Sequence, residues 1–177
     1  QWISQRLGEI GIQTAFHSTV GDCLDDNINV FQTAAHRSDI VIATGGLGPT
    51  ADDLTREVIA TAFNAPLELR VDALAHIENL FSRRKRPMPE RNRVQAMFPS
   101  GANIIDNPHG TAPGIDFVAR NDFRSCRIFA LPGVPAEMKQ MYELTVEPAL
   151  IRDHGAGKQR WFYHSIKVFG IGESDVE

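Results

Sequence analysis

Residues 44–55, TGGLGPTADDLT, follow the apolar run DIVIA at 39–43 and place three glycines within four positions ahead of two adjacent carboxylates. A short, nearly continuous apolar run reads as a strand buried on both faces of a parallel sheet. Gly45, Gly46 and Gly48 let the backbone bend sharply at the end of that strand and leave successive N–H groups unshielded. The stretch LTREVIATAFN, 54–64, then reads as a helix whose N-terminus adds partial positive charge. Strand, glycine turn and helix make one repeat of an α/β fold, and the turn suits an anion, above all a phosphate. GGLG lacks the G-x-G-x-x-G spacing of a dinucleotide loop, and no Gly-Lys-Ser/Thr follows as in a Walker loop.

Asp52 and Asp53 have two readings. One carboxylate suffices to cap the helix. The other is then left to bind a divalent cation, position water or meet a substrate hydroxyl. The residues themselves leave open which aspartate does which.

Outward from the loop, helix and strand signals alternate. QWISQRLGEI, 1–10, has apolar residues at helical spacing and a stop signal in Gly11, and IQTAFHSTV, 12–20, reads as a strand. Asp22, Asp25 and Asp26 precede INVFQTAAHR, 28–37, a helix with one buried face, and DALAHIENLFSR, 72–83, reads as another. Past Pro87 and Pro89 come a short helical stretch at 91–98, a strand at 102–106, the turn-rich NPHGTAPGI and two strands, IDFVAR and CRIFALP. PAEMKQMYELTVEPALI, 135–151, is a helix opened by Pro135 and perturbed at Pro148, and WFYHSIKVFG, 161–170, a last strand. The alternation predicts an α/β fold with a mostly parallel sheet and ligands at the carboxyl ends of its strands.

The chain's 177 residues, 42% hydrophobic and 23% charged, support one globular core and a single domain over 1–177. A net charge of -4 gives no overall drive toward nucleic acid. The one basic run, Arg83, Arg84, Lys85 and Arg86, lies among prolines without interleaved aromatics, and reads as a solvated segment able to approach ligand phosphates as a lid. No apolar span suits a membrane helix and no signal segment is visible, so a cytoplasmic location is expected. Cys23 and Cys126 have no metal-type spacing, and Cys126 reads as a core residue.

TGGLGPTADDLTRE resembles the signature loop of the molybdenum-cofactor-biosynthesis (MoCF) domain, in the version found in competence/damage-inducible CinA proteins. VGD at 20–22, NPHGTAPGI at 107–115 and LPGVPAEM at 131–138 match further motifs in the same order, over nearly the whole chain. The resemblance implies a three-layer α/β/α sandwich that binds a molybdopterin-like pterin or ADP-ribose. It implies a substrate site at Thr44, Gly45, Gly46, Leu47, Gly48, Thr50, Asn107, Gly110, Thr111, Ala112, Pro113, Gly114, Pro132 and Gly133. Asp53 and Asp22 match aspartates associated with substrate or metal handling, and a homo-oligomer is expected. In CinA relatives the domain resembles a divalent-metal-dependent ADP-ribose pyrophosphatase yielding AMP and ribose 5-phosphate. Family members begin with a strand and a G-D/E-E-L-L-x-G stretch that this sequence lacks, and often carry a C-terminal amidase domain, so a longer parent protein is expected.

Beside that resemblance, NPHGTAPGI alone would be an ordinary turn, and His109 is the histidine placed nearest the chemistry. LPGVPAEM again ends a strand with Pro-Gly and opens a helix, with Glu137 suited to complement the helix dipole. The expected chemistry is phosphoanhydride hydrolysis in which the glycine loop holds a phosphate. Asp53, with Asp52 or Asp22, binds magnesium, manganese or cobalt to activate water. The rival readings are molybdopterin binding or adenylylation in the same pocket, and a non-catalytic nucleotide-binding or assembly module.

Overall fold

The computed structural model describes residues 1–120, 125–154 and 169–170. They fall into two compact bodies: the described residues within 18–148, and residues 1–17 with the described residues from Ala149 onward. The smaller body contains α1 (Trp2–Glu9), where the sequence placed it, closed by Gly11 at φ +82°. Residues 12–20, expected as a strand, form none. Alternating apolar residues make an extended segment possible, but a strand exists only where a neighbour completes the ladder, and the pattern does not name that neighbour.

The larger body holds α2 (Leu24–Arg37), β1 (Ile40–Thr44), α3 (Thr55–Ala62), β2 (Leu67–Leu69) and α4 (Val71–Arg83). A 3₁₀ turn (Glu90–Ala96) follows, then β3 (Met97–Pro99), β4 (Asn103–Ile105), β5 (Gly114–Arg120), β6 (Ser125–Leu131) and α5 (Pro135–Met141). After α5 the chain widens into a π-helical turn (Tyr142–Val146) and re-forms as α6 (Glu147–His154). Pro148 gives the reason: it brings no N–H and its ring crowds the carbonyl four residues back, which a wider turn relieves. The strand expected at 161–170 lies outside the described residues, apart from its last two.

The main sheet runs β1-β6-β5-β4, and β2 and β3 pair separately. β1 and β6 are parallel, whereas β6–β5 and β5–β4 are antiparallel. The sheet is therefore mixed, where a mostly parallel one was expected. The links joining β4 to β5 and β5 to β6 are too short for a crossover and permit only antiparallel return. β1 is also less enclosed than its apolar run suggested, half-buried along most of its length.

Register makes this an α/β sandwich. Ile115 lies opposite Ala130, Phe117 opposite Ile128 and Ala119 opposite Cys126, so all six side chains share one face. They join a core with Phe31 and Ala35 of α2, Val58 and Ile59 of α3 and Ile77 of α4. Phe63, just beyond α3, packs on Phe117 with ring centroids 5.7 Å apart. The opposite face carries Gly114 and Ile105, and a Cβ on Gly114 would come within 2.9 Å of the Met141 side chain of α5. Helices thus cover both faces. The same second face holds the Asp116–Arg127 pair, bonded twice at 2.8 and 2.7 Å, with the guanidinium over Phe129.

Candidate functional site

The parallel pair β1–β6 brings two loops together at its carboxyl end. The ladder extends one step beyond β1, with Gly45 N–H donating to Leu131 O at 2.9 Å, and a Cβ on Gly133 would stand 3.5 Å from Gly45 Cα. The GGLG and LPGVP loops are therefore neighbours, as ligand binding at strand ends requires. Gly45 and Gly46 take φ of +99° and +66°, a region other residues rarely adopt. At Gly46 a Cβ would also come 2.3 Å from Thr55 Oγ1. That hydroxyl donates to Gly45 O, and Thr55 N–H donates to Gly46 O, so the loop closes onto the first residue of α3.

Neither aspartate caps α3, whose N-cap is Leu54 with no side-chain bond, correcting the expectation that one of them would. Asp53 instead caps the turn before the helix. Its Oδ2 accepts Thr50 N–H at 3.0 Å and Thr50 Oγ1 at 2.5 Å, and its own N–H donates to Thr50 O. Burial pushes this carboxyl up, but the Thr50 hydroxyl, the N–H groups of Thr50 and Gly48, and the Arg56 charge together hold it below the usual value. Gly48 has no room for a side chain, since a Cβ would lie 2.3 Å from Asp53 Oδ2. The amides of Gly45, Gly48 and Thr50 are thus engaged within the protein, whereas the amide of half-buried Gly46 has no bond among the described residues, and Leu47 is buried.

Beneath the loop lies a polar support that the sequence did not reveal. Arg56 is buried, and its Nη2 donates to Leu47 O at 2.9 Å while Nη1 reaches Gly48 O at 3.5 Å. Burial lowers its pKa from 12.5 to about 10, against the attraction of Asp53. Gln95 Nε2 also donates to Leu47 O, at 3.3 Å, and Asn92 Nδ2 holds Gln95 Oε1 at 2.8 Å. Gln95 and Asn92 are both buried. A basic helix residue and the polar side chains of a short turn carry no pattern that announces burial.

The NPHG loop is tied to the same end of the sheet through Asn107. Its Nδ2 donates to Ala112 O at 3.0 Å and to Glu137 Oε2 at 2.7 Å, while its Oδ1 accepts Gly110 N–H at 2.9 Å. Glu137 stands in the first turn of α5, directly behind the LPGVP loop. Beyond its expected place beside the helix dipole, it links two of the loops. Gly110 allows this approach, since a Cβ there would fall 2.2 Å from Glu137 Oε2. His76 of α4, not singled out from sequence, donates from Nε2 to Asn107 O at 2.9 Å. His109 is exposed, and its carbonyl accepts a long 3.4 Å bond from Arg84.

The remaining expected residues divide by exposure. Thr44, Thr50 and Gly133 are exposed at the strand ends and Thr111 is half-buried, whereas Leu47, Ala112, Pro113, Gly114 and Pro132 are buried. Gly114 opens β5, where a Cβ would meet Ala130 O at 2.8 Å, so its smallness serves sheet packing. Asp22 is exposed ahead of α2, and no described bond joins it to the glycine loop. Asp52 is exposed beside Asp53. Among the described residues no three His, Cys, Asp or Glu side chains converge on a possible metal position. A cavity of about 530 Å³ lies instead at the end of α4, lined by Glu78, Ser82, Lys85, Arg86, Pro87 and Met88. Among the described residues no helix is long and apolar enough to cross a membrane.

Comparison with known proteins gives the same architecture a family. Residues 1–152 match the MoCF biosynthesis family model, described as "Probable molybdopterin binding domain". A CinA-like protein of Trichormus variabilis is 43% identical over 174 residues, 98% of this chain and 41% of its own length. One from Nostoc punctiforme is likewise 43% identical, over 98% of this chain and 41% of the relative. The chain thus spans about two fifths of the curated relatives it matches. The crystal structure of the CinA protein of Thermoplasma acidophilum aligns with a TM-score of 0.71 at 32% identity, covering 86% of this chain and 84% of that one. The tungsten cofactor synthesizing protein MoaB of Pyrococcus furiosus shares the fold, with a TM-score of 0.54 at 18% identity over 89% of this chain and 83% of that one. The chain belongs to the MoCF domain family, in its CinA branch.

Proposed function

We propose that this chain binds a phosphorylated ligand across the carboxyl ends of β1 and β6 and, within a CinA-type protein, hydrolyses the pyrophosphate of ADP-ribose. The observation that carries the reading is the close approach of Gly133 to Gly45, whose N–H donates to Leu131 O; it sets the two strand-end loops side by side, with the Gly46 amide uncommitted among the described residues. Backbone N–H groups in a glycine turn before a helix favour phosphate oxygens. Asn107 and Glu137 hold the NPHG loop as a third wall.

An all-protein metal cage does not fit the described residues. A magnesium-type ion, which keeps waters and takes substrate phosphate oxygens, needs only one or two carboxylates, and exposed Asp52 with the Oδ1 side of Asp53 would supply them. When bound, such an ion neutralises phosphate charge and lowers the pKa of water. Asp53 stays ionised at neutral pH and shapes the loop through Thr50, while Asp52 faces solvent beside it. In the hydrolysis, a water oxygen bonds to one phosphorus as the anhydride P–O bond breaks. Two phosphomonoesters form and a proton passes to solvent.

The family description and the MoaB fold favour a second reading, in which the same loops hold molybdopterin or its adenylylated form. Incubating the full-length protein with ADP-ribose and magnesium, manganese or cobalt, and separately with molybdopterin, distinguishes them. Release of AMP and ribose 5-phosphate supports the first reading. Molybdopterin binding without that release supports the second, and binding of either ligand without turnover at any metal supports a non-catalytic module.

A further inference from the structure

The glycine loop has an inner and an outer side, and its inner side is held by a buried basic residue. Arg56 has 2% of its surface exposed, yet it sits on an amphipathic helix where a basic residue ordinarily faces water. Its two terminal nitrogens reach the carbonyls of Leu47 and Gly48, and Gln95 gives Leu47 O a second donor. Nε is buried and has no partner among the described residues. A buried guanidinium with one nitrogen unsatisfied is costly, so the fold retains Arg56 at the expense of stability.

The geometry shows what it does there. In a trans peptide the C=O and N–H point in opposite directions. Drawing Leu47 O down onto Arg56 and Gln95 turns the Gly48 N–H the other way, where it meets the Asp53 carboxylate. The Leu47–Gly48 peptide is thus clamped between a buried cation and an anion. Ahead of it, the half-buried Gly46 amide has no bond among the described residues. We propose that Arg56 is a positioning residue, with Gln95 its auxiliary, that fixes the orientation of the glycine-loop amides for phosphate oxygens without itself meeting the ligand. The site then takes ligands whose phosphate is recognised by preset backbone amides. Arg56 acts on affinity through geometry, since its charge is turned into the protein.

This inference rests on the phosphate-loop reading, and its test must fail separately from that reading. The full-length protein and its Arg56→Lys, Arg56→Met and Gln95→Leu variants are compared in three measurements. These are thermal unfolding, hydrogen exchange of peptides covering 44–55 and 125–131, and titration with ADP-ribose and with molybdopterin. Lysine keeps the charge but has a single ammonium in place of a fork spanning two carbonyls. The expected result is that Arg56→Lys unfolds as a cooperative protein, exchanges about tenfold faster at 44–55 with 125–131 unchanged, and binds ligand about tenfold more weakly. Gln95→Leu is expected to show the same pattern in weaker form, and keeps the test open if Arg56→Met does not fold. Loop exchange and affinity as in the wild type for both Arg56→Lys and Gln95→Leu overturn the positioning role. So does exchange that rises equally at 44–55 and 125–131, which marks general destabilisation. If the wild type binds neither ligand, the phosphate-loop reading fails, and the exchange pattern alone still judges whether Arg56 fixes the loop.

Discussion

Asp53 and Thr50 close a tight ring at the mouth of the glycine loop, the Asp53 carboxylate accepting both the N–H and the hydroxyl of Thr50 while Asp53 N–H returns to Thr50 O. The carboxyl is held below its usual value, so its contribution is fully present above about pH 3.8 and is lost as pH falls through the lower folded value. Asp53→Asn should therefore remove part of the wild type's loss of stability on acidification. Urea midpoints measured between about pH 2 and 5 check this: the two proteins should converge as pH falls. Parallel curves would show that Asp53 does not take part in the acid transition.

The two glycines of the loop with positive φ, Gly45 and Gly46, are expected to differ. A methyl group at Gly45 meets nothing within 4 Å, whereas at Gly46 it collides with Thr55 Oγ1 and crowds Thr55 N. Gly45→Ala should lose roughly 1 kcal/mol through backbone strain alone, and Gly46→Ala roughly 2–4 kcal/mol. Equal losses in denaturant titrations would mean that the Thr55 contact gives way without cost.

Asn107 supports the NPHG loop from within, so its removal should act on both stability and the site. Asn107→Ala leaves the buried Gly110 N–H and Ala112 O without their present partner, at roughly 1–3 kcal/mol. Glu137→Gln keeps an acceptor for Asn107 and should lose less than about 1 kcal/mol. Thermal unfolding of the two variants should rank them in that order.

The Asp116–Arg127 pair provides a control away from the loops. Both side chains are largely buried and doubly bonded, so Asp116→Ala removes two charge-assisted hydrogen bonds and should lose about 2 kcal/mol. Stability should fall while ligand affinity, measured well below the unfolding temperature, stays unchanged.

Much of this arrangement is legible in the sequence because it depends on local signals. Ile40–Thr44, the glycines behind it and the apolar face of α3 each declare a strand, a turn and a helix, and Pro148 marks its own disturbance. The antiparallel β4, β5 and β6 follow from link lengths, a signal overlooked beside the alternation of helices and strands. Residues 12–20 show the converse, since alternation does not supply a pairing partner. The inner side of the site was hidden for a different reason. Arg56, Asn92, Gln95 and His76 have residue types and spacing that suit a solvated surface, and only tertiary packing brings the first three into the interior and His76 onto Asn107. Asp53 was legible as important, but its partner Thr50 is a matter of turn geometry.

The central claim is that three separate loops form one phosphate-holding site, and a hydrogen-exchange footprint of the full-length protein tests it most directly. With saturating ADP-ribose and magnesium, protection should appear together at 44–48, 107–111 and 132–134 and be lost when a chelator blocks metal-assisted binding. Protection confined to the α4 cavity at 82–88, or absent from the three loops with both ADP-ribose and molybdopterin, would contradict the account.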